Sequence, residues 1–175
     1  MSLFENKKIG EIVTLSASEQ TICRAIAKKR FSNNRKSGVE NKKVGNQSNE
    51  FTDLNGFGAE FAFCKLFNVM PDFSIQPRKS DEFDYDCKFH DGVKIDVKTT
   101  KYKTGRLLVA KWKSSGSDAF ALMIGEFPTY QFKGFCSRER AMSEKYLKDM
   151  GHGEAYFVEQ EDLLEYGDMF ATELF

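Results

Sequence analysis

The chain has 175 residues, of which 41% are hydrophobic and 17 are Phe, so it is long enough to fold as one domain with its own core. Its 26 basic and 26 acidic residues balance, which excludes a uniformly basic or acidic protein. No apolar run is long enough to cross a membrane and the N-terminus lacks a signal-peptide pattern, so we expect a cytoplasmic protein without a membrane partner. The four cysteines lack metal-ligand spacing, which favours a reducing compartment; they are Cys23, Cys64, Cys87 and Cys136.

The charges are distributed unevenly along the chain. Residues 24–43 contain eight basic residues against one acid, and residues 88–113 contain eight against two. From residue 139 to the C-terminus there are ten acids against three basic residues. This separation fits a face that binds a polyanion such as nucleic acid, although such blocks also occur in charged proteins without that function.

The N-terminal part is predicted to form a helix from Ser16 to about Ser32. Ser16 or Ser18 can cap it, and Glu19 completes a capping box with Ser16. A narrow apolar stripe runs along it: Ile22, Ala25, Ile26 and Lys29. Residues 33–49 are polar and basic, and form either an arm that closes over nucleic acid or a plain linker. We therefore divide the chain into a basic N-terminal helix and arm, residues 1–50, and an α/β core with an acidic C-terminal part, residues 51–175.

A second helix is predicted from about Thr52 to Asn68, with Thr52 or Asp53 as its cap. Residues 57–67 are apolar almost all round, so this helix should be largely buried. Glu60 stands in the middle of that run. Because an unpaired buried carboxylate is unfavourable, Glu60 is either a member of a structural ion pair or a carboxylate of a metal site. Close packing on a sheet would explain the glycines of this helix, which are Gly56 and Gly58.

A β-hairpin follows from residue 84 to residue 100, because both arms alternate apolar and polar residues with period two. The three-residue loop His90–Gly92, with Gly92 in the left-handed conformation, sets a register in which Phe89 opposes Val93. In that register Asp86 opposes Asp96, and Lys98 lies on the same face as Asp96.

Two carboxylates directly across a sheet repel, and a fold keeps such a pair when a cation lies between them. Two oxygen donors beside an ammonium group suit Mg²⁺ bound to a phosphate ester. The alternative is an exposed hairpin with ordinary solvated charges. Asp84, on the same face, is the second choice for the first acid, whereas Asp72 of the Pro71-Asp72 dipeptide is rejected because it lies outside the hairpin.

The C-terminal half is predicted to contain further strands and a helix. The apolar run 119–127 is typical of a central strand, and residues 130–136 alternate and pair with it. The remaining predicted elements are a strand or short helix over 106–110, a helix over 137–150, a strand over 155–158 and a helical turn over 161–166. The expected fold class is α/β, with a mixed, mainly antiparallel sheet of four or five strands flanked by helices on both sides.

Several segments together resemble the PD-(D/E)xK nuclease superfamily, which has the restriction-endonuclease-like fold, and in particular its small phage and bacterial members. The resemblance runs from about Phe51 to Gly167. It rests on Gly56-Phe57-Gly58-Ala59-Glu60 in a helix, on Asp86 entering a strand, on Asp96-Val97-Lys98-Thr99-Thr100, and on Tyr130-Gln131-Phe132-Lys133-Gly134-Phe135, which is similar to the last strand of such members. The resemblance implies metal-dependent hydrolysis of phosphodiester bonds and favours the metal-site role of Glu60.

The expected function is a Mg²⁺-dependent nuclease, with Mn²⁺ as a substitute metal and DNA as the expected nucleic acid. Asp86, Asp96 and the Val97 carbonyl would bind one metal, Glu60 a second metal or a water, and Lys98 would orient or deprotonate the attacking water. Residues expected to contact nucleic-acid phosphates are Lys28, Lys29, Arg30, Arg35, Lys36, Thr100, Lys101, Lys103 and Arg106.

The alternative function is a non-catalytic nucleic-acid-binding protein that retains the nuclease fold. The sequence leaves open whether the enzyme is an endonuclease or an exonuclease and which strands it prefers. It also leaves open the oligomeric state, for which a homodimer is one option. A phage-encoded protein that acts in the host cytoplasm fits these expectations.

Overall fold

The computed structural model describes residues 7–38, 48–77, 85–111 and 116–171. Within these ranges the strands are β1 (Ile12–Thr14), β2 (Cys87–Lys88), β3 (Lys94–Thr100), β4 (Leu107–Ala110), β5 (Ala119–Glu126), β6 (Thr129–Ser137), β7 (Leu147–Asp149) and β8 (Glu154–Val158). The helices are α1 (Ala17–Lys36), α2 (Asn49–Phe67), α3 (Arg138–Ala141) and α4 (Tyr166–Ala171), with short 3₁₀ turns at Glu144–Tyr146 and Gln160–Asp162.

The main sheet of the described chain has five strands in the order β1-β6-β5-β3-β2. β3 and β5 are parallel and the other neighbours are antiparallel, so the predicted α/β class and mixed, mainly antiparallel sheet are confirmed. β1 was not predicted. It pairs with β6, with Val13 opposite Tyr130, so part of segment 1–50 belongs to the same sheet as the strands of segment 51–175.

Helix α1 begins where the sequence predicted. Ser16 accepts a hydrogen bond from the Glu19 backbone, and the Glu19 carboxylate accepts one from the Ser16 N–H, which completes the capping box. The predicted apolar stripe was only partly right: Ile26 is half-buried against the core, but the fully buried residues are Cys23 and Ala27, and Ile22 is exposed. α1 packs mainly against α2, and its two fully buried residues, Cys23 and Ala27, have small side chains.

Helix α2 begins three residues earlier than predicted, because the Ser48 hydroxyl accepts a hydrogen bond from the Phe51 N–H and acts as the cap. Its buried side chains pack on the sheet face that carries Ile95 and Val97. A cluster of aromatic rings joins α2, the hairpin, β6 and α4: Phe63, Phe67, Phe89, Phe132, Phe135 and Tyr166. The helix is largely buried, as predicted.

The opposite face of the main sheet is covered by a second sheet with the order β4-β8-β7, together with the short helix α3. Apolar side chains of β5 on this face, Phe120, Leu122 and Ile124, pack against Leu107 and Val109 of β4. The prediction of helices on both sides is therefore only partly right for this face, where a second sheet provides most of the cover and α3 provides one helical turn.

The predicted helix 137–150 was also wrong beyond its first turn. Ser137 caps it as expected, but α3 ends at Ala141 and the chain continues through a 3₁₀ turn into β7. β7 pairs with β8, with Leu147 opposite Tyr156. β7 and β8 form a hairpin, and β8 also pairs with β4, so strand pairing overrides the local helical pattern here.

The predicted hairpin register is confirmed from Cys87 to Val93, but the predicted pairing of Asp86 with Asp96 is not, because the Asp86 N–H donates to the Ile95 carbonyl and the pairing is displaced by one residue there. Cys87 pairs with Ile95, and the Phe89 N–H donates to the Val93 carbonyl at 2.9 Å. Gly92 has a φ of 93°, which is the left-handed region that favours glycine. The hairpin therefore places the residue before β2, Asp86, beside the middle of β3.

Gly58 and Gly56 give a matched pair for testing how α2 packs. A Cβ at residue 58 would collide with the Tyr130 hydroxyl and lie 2.7 Å from Cδ2 of Phe127, whereas one at residue 56 would meet nothing within 4 Å. We predict that Gly58→Ala lowers the free energy of unfolding by about 1–3 kcal/mol, because the Tyr130 hydroxyl is held by Asn55 and cannot easily move. Gly56→Ala should leave stability unchanged or raise it by up to about 1 kcal/mol. Urea denaturation measures both; equal effects would contradict the packing of α2 described here.

Candidate functional site

An ion pair on β3 forms the centre of the candidate site. The Lys98 Nζ lies 2.7 Å from Oδ1 and 2.9 Å from Oδ2 of Asp96. The Asp96 side chain is only 4% exposed, whereas that of Lys98 is 27% exposed. A buried carboxylate is thus neutralised by an ammonium group that still reaches solvent.

Asp86 brings a second buried carboxylate to the same strand. It is 6% exposed, and its Oδ2 accepts a hydrogen bond from the Val97 N–H at 2.7 Å. The Asp86 N–H donates to the Ile95 carbonyl at 2.8 Å, although Ile95 is the register partner of Cys87. The strand pairing is therefore displaced by one residue at Asp86, and its carboxylate takes the place of a backbone acceptor for Val97.

The Val97 carbonyl also points to this edge of β3. In a strand the N–H and C=O of one residue point to the same side, and the Val97 N–H is directed at Asp86. The Val93 and Ile95 carbonyls, at the same alternation, accept hydrogen bonds from the β2 arm. The structure thus brings the carboxylate of Asp86 and the backbone of Val97 together, with Asp96 next along the strand.

These donors fit a hard divalent cation. Two carboxylates and a carbonyl are the oxygen ligands of Mg²⁺, which commonly keeps several waters and needs no more than one or two protein carboxylates. Among the described residues, no three His, Cys, Asp or Glu side chains lie together as a group that could hold a metal. A site at this edge would therefore be completed by water and substrate oxygens.

Glu60 pairs with an arginine, whereas a role in the metal site would require it to lie near Asp96. Its Oε2 is 3.1 Å from Nη1 of Arg30, and this guanidinium also donates to the carbonyls of Asp72 and Ser74 and lies over the Phe57 ring. α2 packs on the face of the sheet that carries Val97 and not on the face of Asp96. The structure therefore supports the ion-pair alternative for Glu60 and does not bring it to Asp96.

The predicted phosphate-binding residues differ in how accessible they are. Lys28, Lys29 and Lys36 are exposed on α1, and Lys101 and Lys103 are exposed after β3. By contrast, Arg30 is held by Glu60 and the 72–74 loop.

The other predicted contacts have protein partners as well. Arg106 donates to Glu159 at 2.7 Å, the Arg35 guanidinium lies over the Phe31 ring, and Thr100 accepts a hydrogen bond from the backbone of the next loop. Most of the arm, residues 39–47, lies outside the described residues, as does Asp84, the second choice for the first acid.

The cysteines are free and buried. A hydrogen bond with Cys87 and burial raise the pKa of the Cys64 thiol, and the charges of Glu60 and Asp86 raise it further. Burial raises the pKa of Cys23 to about 12. Both thiols are therefore protonated at neutral pH, so they act as small buried side chains and not as nucleophiles.

Sequence reasoning missed two partners that organise this region. Arg30 was predicted to bind phosphate, yet it pairs with Glu60. The sequence did contain a signal for this pair, because a carboxylate in the apolar helix α2 needs a cation and the preceding helix α1 is rich in basic residues. The Val97 N–H as partner of Asp86 follows only from the displaced pairing at the end of β2, which has no signature in the sequence.

No helix in the described part of the chain combines the length and apolar character needed to cross a membrane.

The comparison with curated proteins finds no match. A family model described as a family of unknown function (DUF5843) matches residues 6–126, a range that contains Asp86, Asp96 and Lys98. Since this match covers more than half of the chain, the protein belongs to the DUF5843 family.

Proposed function

We propose that this protein is a Mg²⁺-dependent nuclease that hydrolyses phosphodiester bonds in nucleic acid, with DNA as the first substrate to test. The observation that carries the proposal is the buried Asp96 carboxylate paired with the partly exposed ammonium of Lys98, together with a second buried carboxylate, Asp86, on the backbone of the residue between them, Val97. A protein that needed only a stable hairpin would gain little from burying two acids around one strand, because each must be desolvated and satisfied.

The proposal includes the fold. We infer that the five-stranded mixed sheet corresponds to the restriction-endonuclease-like sheet of the PD-(D/E)xK superfamily, which the sequence resembles. The support is the order of elements, since a buried helix precedes a hairpin whose second strand presents Asp96 and Lys98 on one face.

Each residue has a proposed role at the site. Asp86, Asp96 and the Val97 carbonyl would hold the cation. A bound Mg²⁺ supplies positive charge for the scissile phosphate and a water of lowered pKa. Lys98 is the exposed member of its ion pair, so its ammonium would neutralise a phosphate oxygen or orient the attacking water. Glu60 would stabilise the α1–α2 junction through Arg30 and take no part in chemistry.

One observation favours the alternative of a non-catalytic binding protein. Lys98 contacts both oxygens of Asp96, so the protein itself already satisfies this carboxylate. In such a protein the two acids would be structural, and the exposed lysines of α1 and of the loop after β3 would bind phosphates. Cleavage and metal binding separate the two functions.

Metal binding is tested apart from activity. We predict that Mg²⁺ or Mn²⁺ raises the thermal unfolding temperature of the wild-type protein, because binding to the native state stabilises it. Asp96→Asn should remove this increase while keeping a hydrogen bond from Lys98. The matched control Asp149→Asn changes an exposed acid away from the site and should keep the increase. An increase that persists in Asp96→Asn would place the cation elsewhere.

Lys98 is tested by cleavage. Lys98→Gln should lower the cleavage rate by about 10²-fold or more, because the charge near the phosphate is lost while an amide can still donate to Asp96. Lys88→Gln makes the same change at an exposed position of the same hairpin and should cleave normally. The assay uses circular and linear DNA, single- and double-stranded, and RNA, with Mg²⁺ or Mn²⁺ against a chelator. Absence of cleavage of every substrate by wild type, together with binding, would establish the binding protein instead.

Glu60 is tested by separating stability from activity. Glu60→Gln should lower the free energy of unfolding by about 1–2 kcal/mol, between the values for exposed and buried ion pairs, because the pair with Arg30 is partly buried. Cleavage at a temperature where both proteins are folded should be unchanged. Loss of cleavage with unchanged stability would return Glu60 to the metal site.

A further inference from the structure

The segment Lys101–Gly105, here called the β3–β4 loop, directly follows the strand that carries Asp96 and Lys98. Its central residue, Tyr102, is 64% exposed, among the most exposed large apolar side chains of the described residues. Lys101 and Lys103 on either side are exposed as well. The loop thus presents an aromatic ring with two neighbouring ammonium groups, and the Lys101 Nζ lies over the ring, 5.5 Å from its centroid.

The backbone of this loop is held firmly. The Tyr102 N–H donates to the Thr100 hydroxyl at 3.3 Å, and the Gly105 N–H donates to the Tyr102 carbonyl at 2.8 Å. The side-chain amide of Gln160 donates to the carbonyls of both Lys103 and Gly105 at 2.8 Å.

Gly105 is required by the tightness of the turn. A Cβ there would collide with Cγ2 of Thr100 and lie 2.9 Å from the Tyr102 carbonyl oxygen. The ring of Tyr102 is therefore exposed on a turn whose backbone is fixed by hydrogen bonds. An ordered backbone lowers the entropy lost when a ligand binds.

We propose that Tyr102 stacks on an unpaired base of single-stranded nucleic acid, with Lys101 and Lys103 contacting the flanking phosphates. Every base has a π-face that an aromatic ring can cover, and lysines beside the ring follow the backbone. Bases within a duplex are already stacked on both faces, so a ring on the surface can take only an unpaired base. This combination favours single strands over duplexes.

The position of the loop relates it to the candidate site. Tyr102 is four residues after Lys98, and β3 ends at Thr100 between them, so the two Cα atoms are at most about 13 Å apart at ~3.3 Å per residue. That length corresponds to at most about four stacked nucleotides at ~3.4 Å each. The inference rests on the proposed function for its choice of nucleic acid, and Tyr102 would hold the strand a few nucleotides from the scissile phosphate.

The test measures binding without cleavage, in the presence of a chelator. Fluorescence anisotropy compares a 12-nucleotide single strand, as DNA and as RNA, with the corresponding duplexes. Tyr102→Leu should weaken single-strand binding by roughly ten-fold, the loss typical of one base–aromatic stack, and change duplex binding by less than about two-fold. Tyr102→Trp should restore binding, because it restores the π-face and leucine does not. Met150→Ala, at another exposed apolar residue, should bind as wild type.

The proposal is overturned if Tyr102→Leu binds single strands normally, or if it loses affinity equally for single strands and duplexes. It is also overturned if Tyr102→Trp fails to restore binding, or if the wild-type protein does not bind single strands. The outcome is separable from that of the proposed function. Loss of single-strand binding in Tyr102→Leu supports this inference even if no cleavage is found. Normal binding by Tyr102→Leu in an active nuclease would refute it and leave the nuclease intact.

Discussion

The burial of two carboxylates, Asp96 on β3 and Asp86 beside it, is the constraint on which the site depends. Asp86 and Asp96 come from different arms of the hairpin, and both are removed from bulk water. Each needs a partner, since an unsatisfied buried charge would destabilise the native state by several kcal/mol. Asp86 finds it in the Val97 N–H and Asp96 finds it in Lys98. Both carboxylates are thereby satisfied by groups of the protein itself.

The same requirement explains the α1–α2 junction. Glu60 lies in an otherwise apolar helix, and Arg30 satisfies it while also binding the 72–74 loop through two backbone carbonyls. One guanidinium thus joins two helices and a loop, and it also lies over the ring of Phe57. Arg30 was predicted from its charge to bind nucleic acid, but in the structure it holds the two helices together.

The second sheet determines how the site meets solvent. β4 packs over the face of β5 that neighbours Asp96 and Lys98, which keeps the carboxylate buried and the ammonium partly exposed. The turn between β3 and β4 is fixed by Gln160, whose 3₁₀ turn follows β8. Lys101, Tyr102 and Lys103 are therefore exposed on a hydrogen-bonded turn at the end of β3, the strand that carries Asp96 and Lys98.

The sequence by itself determined the local elements. Ser16 and Glu19 define the start of α1, Gly92 defines the hairpin loop and its register, and the run 119–126 defines a central strand. These features depend on neighbours close in the chain or on a period of two, so they can be read without knowing the fold. The α/β class and the pairing of Asp96 with Lys98 on one face follow from the same alternation.

Only the tertiary structure decided which distant groups meet. β7 replaced the predicted end of a helix because it pairs with β8, which is itself held by the distant strand β4. β1 formed because it pairs with the distant strand β6. Glu60 paired with Arg30 because α1 packs along α2, a contact between residues 30 positions apart. Local propensity differs by less than about 1 kcal/mol between alternatives, whereas pairing and burial with distant partners contribute more, so long-range contacts decide these cases.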